Sequence, residues 1–460
     1  MLNEYDVIVV GAGGGGFMTA FRAGQLGGKV LIIEKDRVGG VCVFWGCIPV
    51  ALLSHCAEAI KMAKEVRKQG IYFSGPKIDY KQLMIEKDKL VNMCSGAMVS
   101  EMEEVGVHVV EKASGKLISP KEVEVNFNNG ERKVVRAKNI VLATGLQFRR
   151  YEIPGAYGKG VLTARELIDL NELPKSLAII GRSVVALELA TVWNQLGTDV
   201  TIVARTSEFL PGEDEDFSPI LTESLKENGV RIYADVNIEE ISDSARGKSV
   251  VISSNGTKQK VEAQFVVFAL GQDPWIHGHG FEDVGIDISD GRIKTNEKME
   301  TNVKGIYAVG DVTGETMQAN VALYHDGIIA GENVMGGNAF MDYRVVPRFV
   351  RTLPPIAAVG ITEREAKRKG LNIKVGKFPF AKIPKAHALM DIRGFLKIIA
   401  DASSGEILGV HIIGPEAPEL IHEGVMAMKT KSTFEDIMKT IHNHPSLHET
   451  YWRAAQDMCG

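Results

Sequence analysis

A short apolar run, Asp6 to Val10, delivers the chain into Gly11-Ala12-Gly13-Gly14-Gly15-Gly16, and a helical pattern runs from Phe17 towards Leu26. Lys29 to Ile33 reads as a second strand, closed by Glu34. A glycine-rich turn alone would explain the glycines. Gly-x-Gly-x-x-Gly at Gly11, Gly13 and Gly16, set between strand and helix with an acid about twenty residues on, is the fingerprint of a dinucleotide-binding unit. The glycines permit a tight turn and close approach of a pyrophosphate, the helix N-terminus favours the anion, and Glu34 can accept from a ribose hydroxyl.

The plan recurs. Leu177 to Ile180 is an apolar strand, followed by Gly181-Arg182-Ser183-Val184-Val185-Ala186 and a helix through Leu196; Asp199 to Val203 is the next strand. Phe265 to Leu270 ends at Gly271, as the strand Ile140 to Ala143 ends at Thr144-Gly145. This predicts a second dinucleotide domain inserted in the first. Ser183 and Ala186 stand where glycine is usual; Ser183 places a side chain near the pyrophosphate approach, so a fold that has lost its nucleotide is the competing reading. Ala204 removes the acid that an NAD reader needs there, and Arg205 can pair with a 2′-phosphate, which points to NADP rather than NAD. Gly310-Asp311 ends another apolar strand; Asp311 can accept from a sugar-alcohol hydroxyl or cap the following helix.

Between the first fingerprint and the long helical stretch Tyr80 to Val107 lie Cys42 and Cys47, with four residues between them. Zinc sites use tighter pairs and two further ligands, so no metal set is indicated. One helical turn can bring two such sulfurs within disulfide reach, and beside a redox cofactor they would store a hydride equivalent as a dithiol. Two small buried side chains are the bland alternative. Cys56 and Cys94 read as structural thiols. Hairpins are expected at Asn129-Gly130, between Glu122 to Phe127 and Arg132 to Arg136, and at Asn255-Gly256.

A length of 460 residues suggests about three domains. A net charge of −5 argues against nucleic acid or an anionic membrane as partner. Glu4 and Asp6 fall where a secretory leader would need a basic and then an apolar region, and no uninterrupted apolar run is expected to span a bilayer. A cytoplasmic, reducing location is the expectation.

Together, the Gly11 fingerprint, the Cys42/Cys47 pair, the Gly310-Asp311 segment and the C-terminal region resemble the flavoprotein disulfide reductases (class I pyridine nucleotide-disulfide oxidoreductases). The likeness is greatest to dihydrolipoamide dehydrogenase. It implies an α/β fold of two Rossmann-like dinucleotide-binding domains, one inserted in the other, plus a C-terminal α+β dimerisation domain. The expected boundaries are 1–148 and 273–345 for the FAD-binding parts, 149–272 for the NAD(P)-binding domain and 346–460 for dimerisation. It also implies bound FAD, a small disulfide or dithiol substrate, Cys47 next to the flavin and Cys42 as interchange thiol. His442-Asn443-His444-Pro445-Ser446-Leu447-His448-Glu449 resembles the family's His-x-His-Pro-x-x-x-Glu segment. The match makes His444 the acid/base for the partner subunit's thiol in a homodimer, oriented by Glu449. A solvated histidine cluster is the alternative, and His442, His448, His277 and His279 are expected to belong to it.

The chain also departs from the family. Val41, Phe44, Trp45 and Val50-Ala51 replace residues of the usual redox segment. The lysine normally found at the position of Ala51 pairs with a glutamate, here Glu188, so Glu188 is expected to lack a cationic partner and, if buried, to rise in pKa. The stretch from Ile180 to Glu188, with Val203-Ala204-Arg205, resembles mercuric reductase, although only Cys459 lies near the C-terminus. Metal or sulfur reduction by the same thiols, and a flavin-binding scaffold with weakened catalysis, are the alternative functions.

Overall fold

The computed structural model describes residues 2–459, arranged as two compact units. The first holds the chain up to Leu52 together with Tyr80–Arg149 and Gln272–Asp342; the second holds Leu53–Asp79, Arg150–Gly271 and the chain from Tyr343 onward.

In the first unit, β1 (Glu4–Val10) lies parallel between β2 (Val30–Ile33) and the strand Arg132–Leu142, with Val9 opposite both Ile32 and Val141. Ile306–Ala308 joins the far side of Arg132–Leu142 in parallel register, Ile306 facing Ile140. Both faces of these strands are covered, so their sequences run apolar without alternation, as a parallel sheet requires. The sequence divides residues 132–143 into a hairpin arm and a separate apolar strand; the structure makes one strand. Its first half pairs antiparallel with Glu122–Phe127 and its second half with β1. A change of partner, not a break in the chain, separates the polar part from the apolar part.

Helix α1 (Gly14–Gln25) packs closely on the helical stretch 319–333. Gly327 and Gly331 permit the approach: a Cβ on either would come within 2.7 Å of the Met18 or Arg22 side chain. One turn of that stretch, Ala322–Asp326, is a π-helix.

The second unit contains a five-stranded parallel sheet in the order Arg231–Tyr233, Asp199–Val203, Ser176–Ile180, Phe265–Phe268, Val161–Thr163. Beside it is the antiparallel meander Asn237–Ser244, Gly247–Ser254, Thr257–Ala263. Asn255 and Gly256 both take left-handed φ, the geometry of a two-residue hairpin. A five-stranded antiparallel sheet, Arg348–Val350, Ile356–Gly360, Ile407–Ile413, Phe395–Asp401, Ile373–Pro379, follows. Helices Ala417–Lys429 and Glu449–Asp457 cover it so tightly that a Cβ at Gly376 would sit 2.0 Å from the Ala454 carbonyl oxygen.

Among the described residues, one helical stretch, Gly40–Gln69, is long and apolar enough to cross a membrane by length and composition. This corrects the expectation that no such run exists; residues 40–57 hold no Asp, Glu, Lys or Arg. The stretch is broken at Gly46 (φ −135°, ψ −115°) into α2 (Gly40–Trp45) and α3 (Cys47–Glu65), and Val43 and Phe44 pack with Val91, Cys94 and Met98.

Candidate active site

At the first fingerprint each glycine has its own reason. Gly11 takes φ +101°, and a Cβ there would lie 2.2 Å from the Ala143 carbonyl oxygen; one at Gly16 would lie 2.0 Å from that of Gly11. Gly13 is different: a Cβ would meet nothing within 4 Å, so this face of the turn is open. Gly13 caps α1 without any side-chain hydrogen bond, leaving the first amides of the helix for a ligand. Glu34 is buried at the end of β2; its Oε2 accepts from the Ala12 amide at 2.8 Å and its Oε1 from the Asp36 amide at 2.9 Å. Burial nevertheless pushes its carboxyl up. Gly145 takes φ +73° with open space on its Cβ side, and Thr144 beside it donates to the Trp275 carbonyl at 2.8 Å.

Asp311 lies in a 3-10 turn, Gly310–Thr313, after the strand Ile306–Ala308. It keeps some exposed surface, yet the protein around it pushes its carboxyl up to about 6 by desolvation alone. Its carboxylate accepts no hydrogen bond among the described residues. A bare helix start, an open glycine turn and an unpaired carboxylate are the features needed to hold a dinucleotide's pyrophosphate and a polyol hydroxyl. The residues present therefore fit FAD.

The cysteine segment is docked on this cradle. Gly39 donates its amide to the Ala12 carbonyl at 2.8 Å. At Gly40 (φ +60°) a Cβ would come 2.8 Å from Gly13 Cα. Cys42 and Cys47 are both half-buried. They do not share one continuous helical turn, as the spacing suggests: Cys42 lies in α2, and Cys47 is the first residue of α3, beyond the break at Gly46. Cys94 is packed behind α2, and burial pushes the Cys56 thiol up.

The second fingerprint repeats the geometry. Gly181 takes φ +152°, and a Cβ would lie 2.2 Å from the Ala269 carbonyl oxygen. Ser183 (φ −91°, ψ −178°) has nearly the backbone of Gly13 (φ −70°, ψ −176°), and its hydroxyl turns back to within 3.5 Å of that same oxygen. Arg205 is exposed after the strand Asp199–Val203, its guanidinium 4.3 Å over the Tyr151 ring. It makes no salt bridge among the described residues. Gly271 takes φ +95° with open space on its Cβ side.

Glu188 lies buried on the helix Val184–Gln195, and the expectation of a missing cation is corrected here. Its Oε1 accepts from the Arg351 amide at 2.9 Å, and the Arg351 guanidinium stands 3.6 Å away. Burial still pushes the Glu188 carboxyl up, as expected, with Arg351 opposing. No local sequence signal pointed to Arg351, which is 163 residues from Glu188.

At the C-terminus, Nδ1 of His444 is 2.9 Å from Glu449 Oε1, and Glu449 Oε2 accepts from the Ser446 amide at 2.9 Å. Burial would raise Glu449, but the Ser446 amide and His444 outweigh it and hold the carboxyl low. The segment is anchored by Tyr451, fully buried two residues into the next helix, whose hydroxyl donates to the Leu420 carbonyl at 2.9 Å. His444 itself is outward-facing, its side chain 73% exposed. His442 and His448 are held instead by Glu423, at 2.9 and 2.7 Å. His277 is exposed, whereas His279 stacks on Phe281 and burial lowers its pKa. Among the described residues no group of three or more His, Cys, Asp or Glu could hold a metal ion.

Two family models match the chain: the pyridine nucleotide-disulphide oxidoreductase model over residues 5–325, and that family's dimerisation domain over residues 346–455. The chain belongs to the pyridine nucleotide-disulphide oxidoreductases. It is 35% identical over 460 residues to a leghemoglobin reductase of Glycine max, covering 98% of this chain and 87% of that one. A dihydrolipoyl dehydrogenase of Bacillus subtilis is 34% identical over 468 residues, covering 99% and 98%. Among solved structures, a Cu(II) complex of the HOCl-induced flavoprotein disulfide reductase RclA from Escherichia coli superposes with TM-score 0.88 at 27% identity, over 99% of both chains. LpdA from Mycobacterium tuberculosis superposes with TM-score 0.89 at 26% identity, also over 99% of both. As a pyridine nucleotide-disulphide oxidoreductase of the dihydrolipoyl dehydrogenase type, this protein is a flavoenzyme that uses FAD and NAD(P)H. Its last region is the family's dimerisation domain, which supports a homodimer.

Proposed function

We propose that the enzyme passes electrons between NADPH and a small dithiol or disulfide through Cys42 and Cys47, with His444 of one protomer serving Cys42 of its partner. The observation that carries the reading is the His444–Glu449 pair. A carboxylate on Nδ1 fixes that nitrogen as the donor and leaves Nε2 to take a proton. Gly11, Gly13, Gly16, Glu34, Gly145, Gly310 and Asp311 hold FAD, which supplies the two-electron carrier between nicotinamide and sulfur. Gly181, Ser183, Glu188, Arg205 and Gly271 serve the pyridine nucleotide, and Arg205 favours the 2′-phosphate of NADPH.

In the dithiol direction, Nε2 of His444 takes a proton from one substrate thiol. The resulting thiolate attacks the Cys42 sulfur, the Cys42–Cys47 bond breaks, and Cys47 leaves as a thiolate. The second substrate thiol then displaces Cys42, releasing substrate disulfide and leaving both protein sulfurs reduced. Glu449 orients the imidazole throughout.

The domain limits that suit this reading are 1–148 and 273–345 for FAD, 149–272 for the nucleotide and 346–460 for dimerisation. The parallel sheet confined to Val161–Phe268 supports the middle limit. Scattered cysteines suit a reducing, cytoplasmic setting.

Anaerobic titration of the flavin with NADPH and NADH, followed by turnover with lipoamide, tests the reading. NADPH should bleach the flavin at the lower concentration, and Cys42→Ser should keep a bleachable flavin while losing lipoamide turnover. Undiminished lipoamide turnover in Cys42→Ser sinks the relay. NADPH oxidation driven by a metal ion without dithiol, lost in Cys42→Ser, would replace the dithiol by a metal substrate.

A further inference from the structure

Burying a carboxylate costs several kcal/mol unless it is paired, and the helix Val184–Gln195 carries one a single turn beyond its second fingerprint. Glu188 is 8% exposed, and the neighbours flanking it, Leu187 and Leu189, are apolar and buried. Packing alone would be served better by leucine. Among the described residues, the only charged group acting on Glu188 is Arg351, which follows the edge strand Arg348–Val350 of the C-terminal sheet.

Arg351 meets Glu188 in two ways. The backbone amide donates to Oε1 at 2.9 Å, an interaction that any residue could supply. The guanidinium, 3.6 Å from the same oxygen, is specific to the side chain. Arg351 is itself held in place, its guanidinium 4.5 Å over the Phe349 ring, and it acts also on Glu58. Glu58 also feels His55, Glu416 and Lys61, so it has other cations to draw on, whereas among the described residues Glu188 has none besides Arg351.

We propose that Arg351 is a positioning residue of the nicotinamide half-reaction, holding Glu188 ionised beneath the second fingerprint and so setting the pH range over which pyridine nucleotide reacts. The segment that supplies it belongs to the C-terminal sheet rather than to the nucleotide-binding fold. Rearrangement of that sheet's edge would therefore alter the charge of a nucleotide-side carboxylate. The inference rests on the assignment of this fingerprint to NADPH or NADH.

The test uses the FAD-loaded enzyme labelled with 13C-glutamate. The infrared band of a protonated carboxyl that disappears in Glu188→Gln reports Glu188 directly, with or without turnover. Arg351→Gln keeps the backbone donor but removes the cation, and should raise the titration midpoint by at least about one pH unit, a tenfold tighter hold on the proton. Arg351→Lys should raise it by less, and serves alone if the glutamine variant does not fold. An unmoved midpoint in every folded variant overturns the proposal.

NADPH oxidation with ferricyanide as acceptor, which takes electrons from the reduced flavin so that neither Cys42 nor His444 is needed, should show an acid limb that moves with the infrared midpoint and is absent in Glu188→Gln. A limb that ignores Arg351 overturns the proposal too. Failure of both nucleotides to bleach the wild-type flavin would sink the functional reading instead, and the infrared midpoints would still decide whether Arg351 controls Glu188.

Discussion

Glu449 holds His444 by Oε1 and the Ser446 amide by Oε2, each at 2.9 Å, so one carboxylate fixes both the ring and the turn that carries it. His444→Ala removes the base itself, and general acid–base catalysis is worth about 100- to 10,000-fold. A loss of that order is expected in the step that reduces the cysteine pair by dihydrolipoamide. Glu449→Gln keeps one acceptor but no charge and should lose less, about 10- to 100-fold. Stopped-flow measurement of the two half-reactions decides it. Equal slowing of nucleotide-driven flavin reduction in either variant would remove His444 from its role.

Gly40 presses on Gly13 and takes φ +60°. Alanine there would add backbone strain of about 1–2 kcal/mol and place its Cβ 2.8 Å from Gly13 Cα. Gly40→Ala should therefore loosen the redox segment from the fingerprint loop and speed FAD loss about tenfold or more. Fluorescence of released flavin measures this directly. Gly106→Ala is the control: φ is +80°, but nothing lies within 4 Å of the added Cβ, so it carries backbone strain without the clash.

What the sequence reveals follows from range. The first fingerprint is legible through Glu34 because strand, turn and helix are consecutive and each glycine answers a local steric demand. Glu449 is legible beside His444 for the same reason, five residues apart. Arg351 is not, because its partner is brought to it only by folding. The same holds for Gly39 and Gly40, whose contacts Ala12 and Gly13 lie on the other side of β2. Gly46 was visible between the cysteines, but spacing alone does not say that a glycine will end one helix and start the next. Likewise, Lys138 and Asn139 look like a break in residues 132–143, whereas the strand runs through them and exchanges one partner for another.

Asp311 links pH to stability. Its carboxyl binds a proton more tightly folded (about 6) than at its ordinary value of 3.8, a gap of about 2.2 units. The contribution is present at low pH and is lost as pH rises from about 3.8 through 6. At 1.36 kcal/mol per unit this is at most about 3 kcal/mol, and less because the group keeps some contact with water. In protein stripped of FAD, Asp311→Asn should flatten that slope and raise the unfolding midpoint more at pH 7.5 than at pH 5. With FAD present the same change should weaken flavin retention, since an acceptor is lost. Urea titrations at the two pH values check the sign; a larger gain at pH 5 would contradict it.

Lys397 is the buried cation of the C-terminal sheet, 1% exposed, and its ammonium lies 2.9 Å from both oxygens of Asp214, itself 3% exposed. Asp216 at 2.7 Å and Glu363 at 3.4 Å complete the cluster. Burial works against the Lys397 charge, but these carboxylates outweigh it and raise its pKa. Asp214 and Asp216 come from the loop preceding the helix Phe217–Glu227, Lys397 from the strand Phe395–Asp401, so the cluster ties the nucleotide-side chain to the antiparallel sheet. Lys397→Met leaves Asp214 buried without its cation and should cost about 3–5 kcal/mol. Replacing both, as Lys397→Met with Asp214→Leu, should recover much of that loss, because two packed apolar side chains no longer need each other's charge. Denaturant unfolding of the two variants and the wild type closes the cycle. If the double variant is no more stable than Lys397→Met alone, the buried charge of Asp214 is not the source of the cost.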